Sequence, residues 1–335
     1  MRDANSDLSY RVREVHTVSQ TTGRAERAQQ TKHADSDSES ELLGGAMNIG
    51  LVDVDGHNFP NLALMKLSSF HKAQGDTVEW AIGYVPYDRV YMAKVFTFTP
   101  DDNTAYQGEI VQGGTGYDLS SRLPDEVERC YPDYGLYGIT DTAYGYLSRG
   151  CPRGCGFCIV AEKEGKQSRK VADLRDWWNG QKHIKLLDPN ITACPDFFDL
   201  MGQLAETRAY VDFTQGLDIR LMTDEKAEAI NNTKCKMIHF AWDDPKDEIV
   251  PQKLKEYASV WNIKERQRRV YILTNYNSTH EEDVYRVEKV HELGYDPYVM
   301  IYEKWNAPKI TKQLQRYVNN KFIFHKIKNF REYIG

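Results

Sequence analysis

Residues 144–158 read YGYLSRGCPRGCGFC. An apolar and aromatic run leads straight into cysteines at 151, 155 and 158, so a strand is expected to end where the thiols begin. The chain spends six cysteines on 335 residues and places three of them within eight positions. Outward from this stretch the pattern repeats. Further strand-like runs, HIKLLDP, YVDFTQGLDIRL, KMIHFAWDD, RRVYILTNY and PYVMIYEK, start near 183, 210, 236, 268 and 297. Between and after them lie ADLRDWWNG, DFFDLMGQLAETR, DEKAEAINN, QKLKEYASVWNI, EEDVYRVEKVHELG and KITKQLQRYVNN, read as helices. In the fifth, Val284, Val287, His291 and Leu293 form the expected apolar side. Strand-then-helix units at this spacing imply parallel strands with right-handed crossovers. The expected fold is α/β, a partial (β/α)6 TIM-like barrel over residues 143–320, with reactive groups at the carboxyl ends of the strands.

Residues 1–46, ending TKHADSDSESELLGGA, are too polar to offset the entropy of ordering and are expected to be disordered, with Met47 a possible natural start. Residues 47–125 are expected to form a small doubly wound α/β domain. NIGLVDV suits a buried parallel strand, and Leu62, Met65, Leu67 and Phe70 give helical spacing up to Gly75. DRVYMAKVFTFT and GEIVQGG supply further strands. Residues 126–142 read as a connector. The tail over 321–335, with FIFHKIKNFREYI, reads as a closing helix or strand rather than a nucleic-acid arm.

Forty-three basic residues against 49 acidic ones leave a net charge of -6, which gives no global attraction to nucleic acid or to a membrane surface. No apolar run is long enough to span a bilayer, and the first twenty residues lack the apolar core of a secretory signal. The expected location is cytoplasmic, where clustered thiols hold metal or do chemistry more often than they form disulfides.

Thiolates in the pattern CxxxCxxC suit three corners of an iron–sulfur cube, one sulfur to each of three irons. Gly150, Gly154 and Gly156 let the loop bend around a bulky group, and Pro152 stiffens it. The fourth iron then stays open, as chemistry requires. The alternative is a structural zinc site in a non-enzymatic binding module. Zinc needs four ligands, and only Cys155 with Cys158 makes a CxxC pair, while Cys130, Cys194 and Cys235 stand alone and His183 lies 25 residues beyond Cys158. Arg149 and Arg153 flank the thiols, either offsetting cluster charge or lying exposed.

This cysteine motif, at the end of a first barrel strand with Phe157 before the last cysteine, resembles the radical S-adenosylmethionine superfamily. The resemblance implies a [4Fe-4S] cluster held by Cys151, Cys155 and Cys158, with S-adenosylmethionine bound at its free iron. It also implies reductive cleavage to a deoxyadenosyl radical that abstracts hydrogen from a substrate, with electrons from a donor such as flavodoxin or ferredoxin. The substrate is not identified by any motif. Family members often carry a glycine-glycine-glutamate segment near the second strand; LLDPN stands there, and Asp188 is the expected replacement acceptor. Polar residues at other strand ends, Asn190, Gln215, Asp218, Arg220, Asp243, Asp244, Asn275 and Asn277, are candidates to bind cofactor or substrate. Phe157, Asp188, Gln215, Asp218, Arg220 and Asp243 are the selected cofactor-binding set.

The N-terminal portion is similar to the cobalamin-binding-like domain of cobalamin-type radical enzymes. Asp55 and His57 in DGHNFP resemble a corrinoid-binding DxHxxG, with Pro60 in place of the glycine. Either they serve cobalamin, implying radical methyl transfer, or they are polar loop residues after a strand. A methylthiotransferase-like RNA-modifying enzyme is a third alternative, though that branch carries clustered cysteines where this chain has only Cys130.

Overall fold

The structure is a computed structural model in which residues 45–56, 59–327 and 329–334 are described. The expected disorder of 1–46 falls outside this set except at its last two residues, and His57 lies outside it too.

The chain opens with β1 (Asn48–Asp53), α1 (Leu62–Ala73), β2 (Thr77–Trp80), β3 (Pro86–Ala93) and β4 (Gln107–Gly113). The four strands form a parallel sheet in the order β2-β1-β3-β4. Asn61 starts α1 by accepting from the backbone N–H groups of Ala63 and Leu64. The helix packs Leu64 and Leu67 on Ile49, Leu51 and Ala93, while its Met65 joins the core of the following sheet. The strand order is that of a doubly wound sheet at its switch point. Only the β1–β2 crossover is helical among the described residues; 81–85 and 94–106 make the other two without an α-helix. The second face is closed instead by Tyr87, Val90 and Met92 with Tyr106 and Tyr117 against them. DRVYMAKVFTFT accordingly leaves the sheet at Ala93.

The next elements are α2 (Asp125–Glu128), β5 (Thr142–Gly145), β6 (Ser148–Arg149), α3 (Val160–Lys163), β7 (Arg169–Lys170), β8 (His183–Leu186) and α4 (Phe197–Glu206). Then come β9 (Tyr210–Phe213), α5 (Asp224–Asn231), β10 (Cys235–Ala241), α6 (Ile249–Tyr257), β11 (Arg268–Thr274), α7 (His280–Glu292) and β12 (Asp296–Ile301). The chain closes with α8 (Lys309–Asn319), α9 (Lys321–Lys326) and α10 (Phe330–Ile334). β5, β8, β9, β10, β11 and β12 form a six-stranded parallel sheet whose neighbours follow chain order, and β6 pairs antiparallel with β7.

Alternation along these strands separates two faces. Ile184, Val211, Phe213, Ile238, Phe240, Val270, Ile272 and Val299 share one core with Leu200 of α4, Ile230 of α5, Leu254 of α6, Val287 of α7 and Leu314 of α8. Each such aliphatic side chain contributes about 1.5–3 kcal/mol on burial. The other face carries Lys185 paired with Asp212, Asp212 with Met237, His239 with Arg269, and Tyr271 with Tyr298. His239 stacks flat on Tyr271, with ring centroids 5.1 Å apart.

Three local expectations change. ADLRDWWNG is a single 3-10 turn at Leu174–Asp176, because the Trp177 carbonyl accepts from the buried Tyr134 hydroxyl at 2.8 Å instead of continuing a helix. YVDFTQGLDIRL pairs only as far as Phe213. The buried side of α7 is Asp283, Arg286, Val287 and Val290, with His291 exposed. Arg286 is tolerated there because Asp283 and the carbonyls of Trp242, Asp243 and Leu273 take its donors. The tail folds as α9 and α10, and Phe324 and Phe330 enter the core. Among the described residues no helix is long and apolar enough to cross a membrane.

Candidate functional site

Cys151, Cys155 and Cys158 lie on the loop leaving β6, directly after the carboxyl end of β5, all half-buried and none in a disulfide. The loop is pinned to its own return. The Cys151 N–H donates to the Gly165 carbonyl at 3.1 Å, and the Gly150 N–H to Glu164 Oε2 at 3.2 Å. Gly150 has φ +90°, and a Cβ there would stand 2.1 Å from the Gln167 carbonyl oxygen, so only glycine fits. A Cβ on Gly156 would stand 2.6 Å from the Tyr276 hydroxyl. Tyr276 also meets Phe157 edge to face at 5.3 Å, so the selected aromatic is buried under a residue from the loop after β11.

The thiols share one field. Burial pushes the Cys155 thiol up to about 11, and Asp243, Cys158 and Cys151 add to the rise while Arg220 opposes it. Such a thiol is un-ionised at neutral pH until a metal cation supplies the balancing charge. Among the described residues no three His, Cys, Asp or Glu side chains converge as they would around one metal ion. The donor set is three separate sulfurs on one loop, and its chemistry fits a cluster that takes one sulfur per iron. Two of the other zinc candidates do not join it: His183 and Cys235 occupy the first positions of β8 and β10, at the opposite, amino ends of the strands.

Two strand ends grip this loop. Asp188, beyond β8 and 3 % exposed, accepts from the Leu147 and Ser148 N–H groups at 3.1 and 2.5 Å and from the Ser148 hydroxyl at 2.7 Å. Its carboxylate thus fixes the stem of the thiol loop from beneath, and burial raises its pKa to about 6 against the pull of those bonds. Asn190 donates its side-chain N–H to Cys151 Sγ at 3.5 Å. Asp218, after β9, accepts from Arg153 Nε at 2.6 Å and Arg220 Nε at 2.7 Å, and its backbone N–H donates to Thr192. Burial pushes the Asp218 carboxyl up, but the two guanidiniums outweigh it and hold the pKa low. Arg149 is partnered too: it contacts Glu128 and Glu164 at 3.3 and 3.6 Å and stacks 4.1 Å over the Tyr146 ring. Both arginines of the motif are therefore held by carboxylates. The backbone carbonyl of Asp243 is fixed by Arg286 at 3.1 Å.

A cavity of about 2920 Å³ adjoins the loop. It runs from the carboxyl ends of the small sheet at Ala93 and Gly113, past Arg149 and Ile159 at either end of the thiol loop, to Gln215 and Tyr298 of the large sheet. A drug-sized ligand needs about 300–1,000 Å³, so the space exceeds one small molecule. Lys163 on this wall has its pKa lowered to about 8, by burial first and then by Arg122. Asp55, on the loop after β1, accepts from the Val95 and Phe96 N–H groups and the Thr99 hydroxyl, and so organises the 94–99 loop.

Sequence reasoning did not find Thr192, Glu164, Tyr276 or Arg286. Each acts across the fold on a partner at least 14 residues away, and no local pattern marks it. Compared with models of known protein families the chain matches none, and no curated protein matches it.

Proposed function

We propose that the chain is a radical S-adenosylmethionine enzyme in which Cys151, Cys155 and Cys158 hold a [4Fe-4S] cluster. The observation that carries this reading is the set of three half-buried thiols, none in a disulfide, on the loop that follows the first of six parallel strands in chain order. In this reading the large sheet is a partial (β/α)6 barrel. Chain-order strands with helices on a single face support it, as does the polar second face. When bound, the cluster supplies the electron that cleaves the sulfonium of S-adenosylmethionine.

The remaining roles belong to the chain. Asp188 holds the loop stem, and Arg153 with Arg220, bridged by Asp218, sets positive charge beside the thiolates. Phe157 under Tyr276 keeps water from one side of the loop. Gln215, on the loop after β9, lines the cavity, which supports its assignment to a polar group of the nucleotide or substrate. The cavity adjoins the thiol loop at Arg149 and Ile159, and the three cysteines do not line it; in this reading it takes the substrate.

Anaerobic reconstitution with iron and sulfide tests the reading. It expects brown protein with about four irons per chain, an electron paramagnetic resonance signal that changes on adding S-adenosylmethionine, and loss of iron when the three cysteines are replaced by alanine. Protein that stays colourless, takes up zinc alone, or gives a signal indifferent to S-adenosylmethionine refutes it.

A further inference from the structure

Asn190 is 3 % exposed, and its amide has one orientation that the surrounding bonds permit. The backbone N–H of Asp218 can only donate, and it points at Thr192 Oγ1 from 3.0 Å. The Thr192 oxygen accepts there, so its single proton is free for its other neighbour, Asn190 Oδ1, at 2.7 Å. The Asn190 oxygen is thereby fixed on Thr192. Its NH2 group must then face Cys151 Sγ, 3.5 Å away. The direction of this chain is set by a peptide group, which cannot flip its polarity as an amide or hydroxyl can. Asp218, whose N–H starts it, is itself locked between Arg153 of the thiol loop and Arg220.

We infer that Asn190 is a positioning residue that holds Cys151 in place and biases the bound cluster toward its reduced state. The inference rests on the iron–sulfur reading above and adds to it a determinant of redox poise. Reduction puts one electron from an external low-potential donor on the cluster, transfers no proton and breaks no bond. The added charge spreads onto the ligand sulfurs, where an N–H donor stabilises it. The bond is made in both oxidation states and strengthens as the sulfur gains charge, so only that increment counts, and losing it disfavours reduction about tenfold. For one electron that is a drop of about 59 mV in potential.

The test is a dithionite titration of the reconstituted full-length chain, followed by electron paramagnetic resonance, with iron counted per chain. Asn190→Leu removes the donor. Thr192→Val leaves Asn190 in place but releases its orientation, and Thr192→Ser restores the hydroxyl. The expected result is iron content equal to wild type, with reduction about tenfold less favourable in Asn190→Leu, a smaller change of the same sign in Thr192→Val, and wild-type poise in Thr192→Ser. A purely structural role for Asn190 would lower iron content without moving the potential of the cluster that remains. If Asn190→Leu and Thr192→Val both keep iron and stay within twofold of wild type, the inference is overturned while the cluster assignment stands. If wild type itself takes up no iron and sulfide, both fall.

Discussion

Replacing Asp188 by asparagine gives a stability change whose sign depends on pH. The carboxyl is 3 % exposed, and burial raises its pKa from the ordinary 3.8 to about 6. The folded chain therefore holds this proton more tightly than the unfolded chain. Stability from this group is whole below pH 3.8, falls as pH rises, and is lost above about pH 6. At about 1.36 kcal/mol per pH unit the full loss is about 3 kcal/mol, of which about 2 kcal/mol falls between about pH 4.5 and pH 8. Asparagine keeps one oxygen for Ser148 but turns an NH2 toward the Leu147 N–H now bonded at 3.1 Å. That cost is a constant offset, since asparagine does not titrate. The wild-type unfolding free energy minus that of Asp188→Asn should thus drop by about 2 kcal/mol from about pH 4.5 to pH 8, the variant gaining relative to wild type. Urea unfolding followed by circular dichroism reads this as a relative midpoint change of about 1 M for m near about 2 kcal/mol/M. Parallel profiles, constant within about 0.5 kcal/mol, would show a carboxylate that ionises as it does in water and would end the account of Asp188 as a buried latch.

Other perturbations reach the same loop. Asp218→Ala strips the shared partner from Arg153 and Arg220, whose side chains are 34 % and 24 % exposed. Solvent at those guanidiniums reduces the usual buried-pair cost to about 2 kcal/mol at neutral pH. Because the two arginines hold this carboxyl below its usual range, the wild-type advantage is present above pH 3.8 and fades as pH falls through the folded pKa; thermal melts at neutral and acid pH will show whether it does. Gly150→Ala forces a side chain into φ +90° and onto the Gln167 carbonyl, for a loss of about 2 kcal/mol or more that a melt with unchanged midpoint would contradict. Lys163, with its pKa lowered to about 8, should reach half its maximal rate of acetylation by acetic anhydride near that pH, well below the pH at which exposed lysines do; peptide mass mapping that finds it among the slow ones would disprove its desolvation.

The sequence by itself determined the pieces that depend on neighbours along the chain. Period-2 runs and capped amphipathic segments placed β8 through β12 and α4 through α8, because each strand and helix has to bury an apolar side. The tripled cysteine spacing marked the loop for the same reason: glycine and thiol positions over eight residues are local information. It also misread local stretches whose backbone is claimed from afar. ADLRDWWNG has helix-like composition, yet Tyr134 takes the Trp177 carbonyl. His291 follows the apolar period of α7, yet Asp283 and Arg286 lie on the buried side as an ion pair.

Only the tertiary structure decided what surrounds the thiols. Asp188, Asn190 and Asp218 were visible as polar residues at strand ends, but the bonds that tie Asp188 to Ser148, Asn190 to Cys151, and Asp218 to Thr192 and Arg153 span 26 to 65 residues, so no window of sequence could say whether they face a ligand or the loop. Parallel pairing of β5, β8 and β9 brings those ends together, and the bonds then follow from the need to satisfy every buried donor and acceptor. The polar face of the large sheet has the same origin. Its residues alternate with the apolar ones in every strand, and only the placement of all the helices on one side leaves the other to line a cavity.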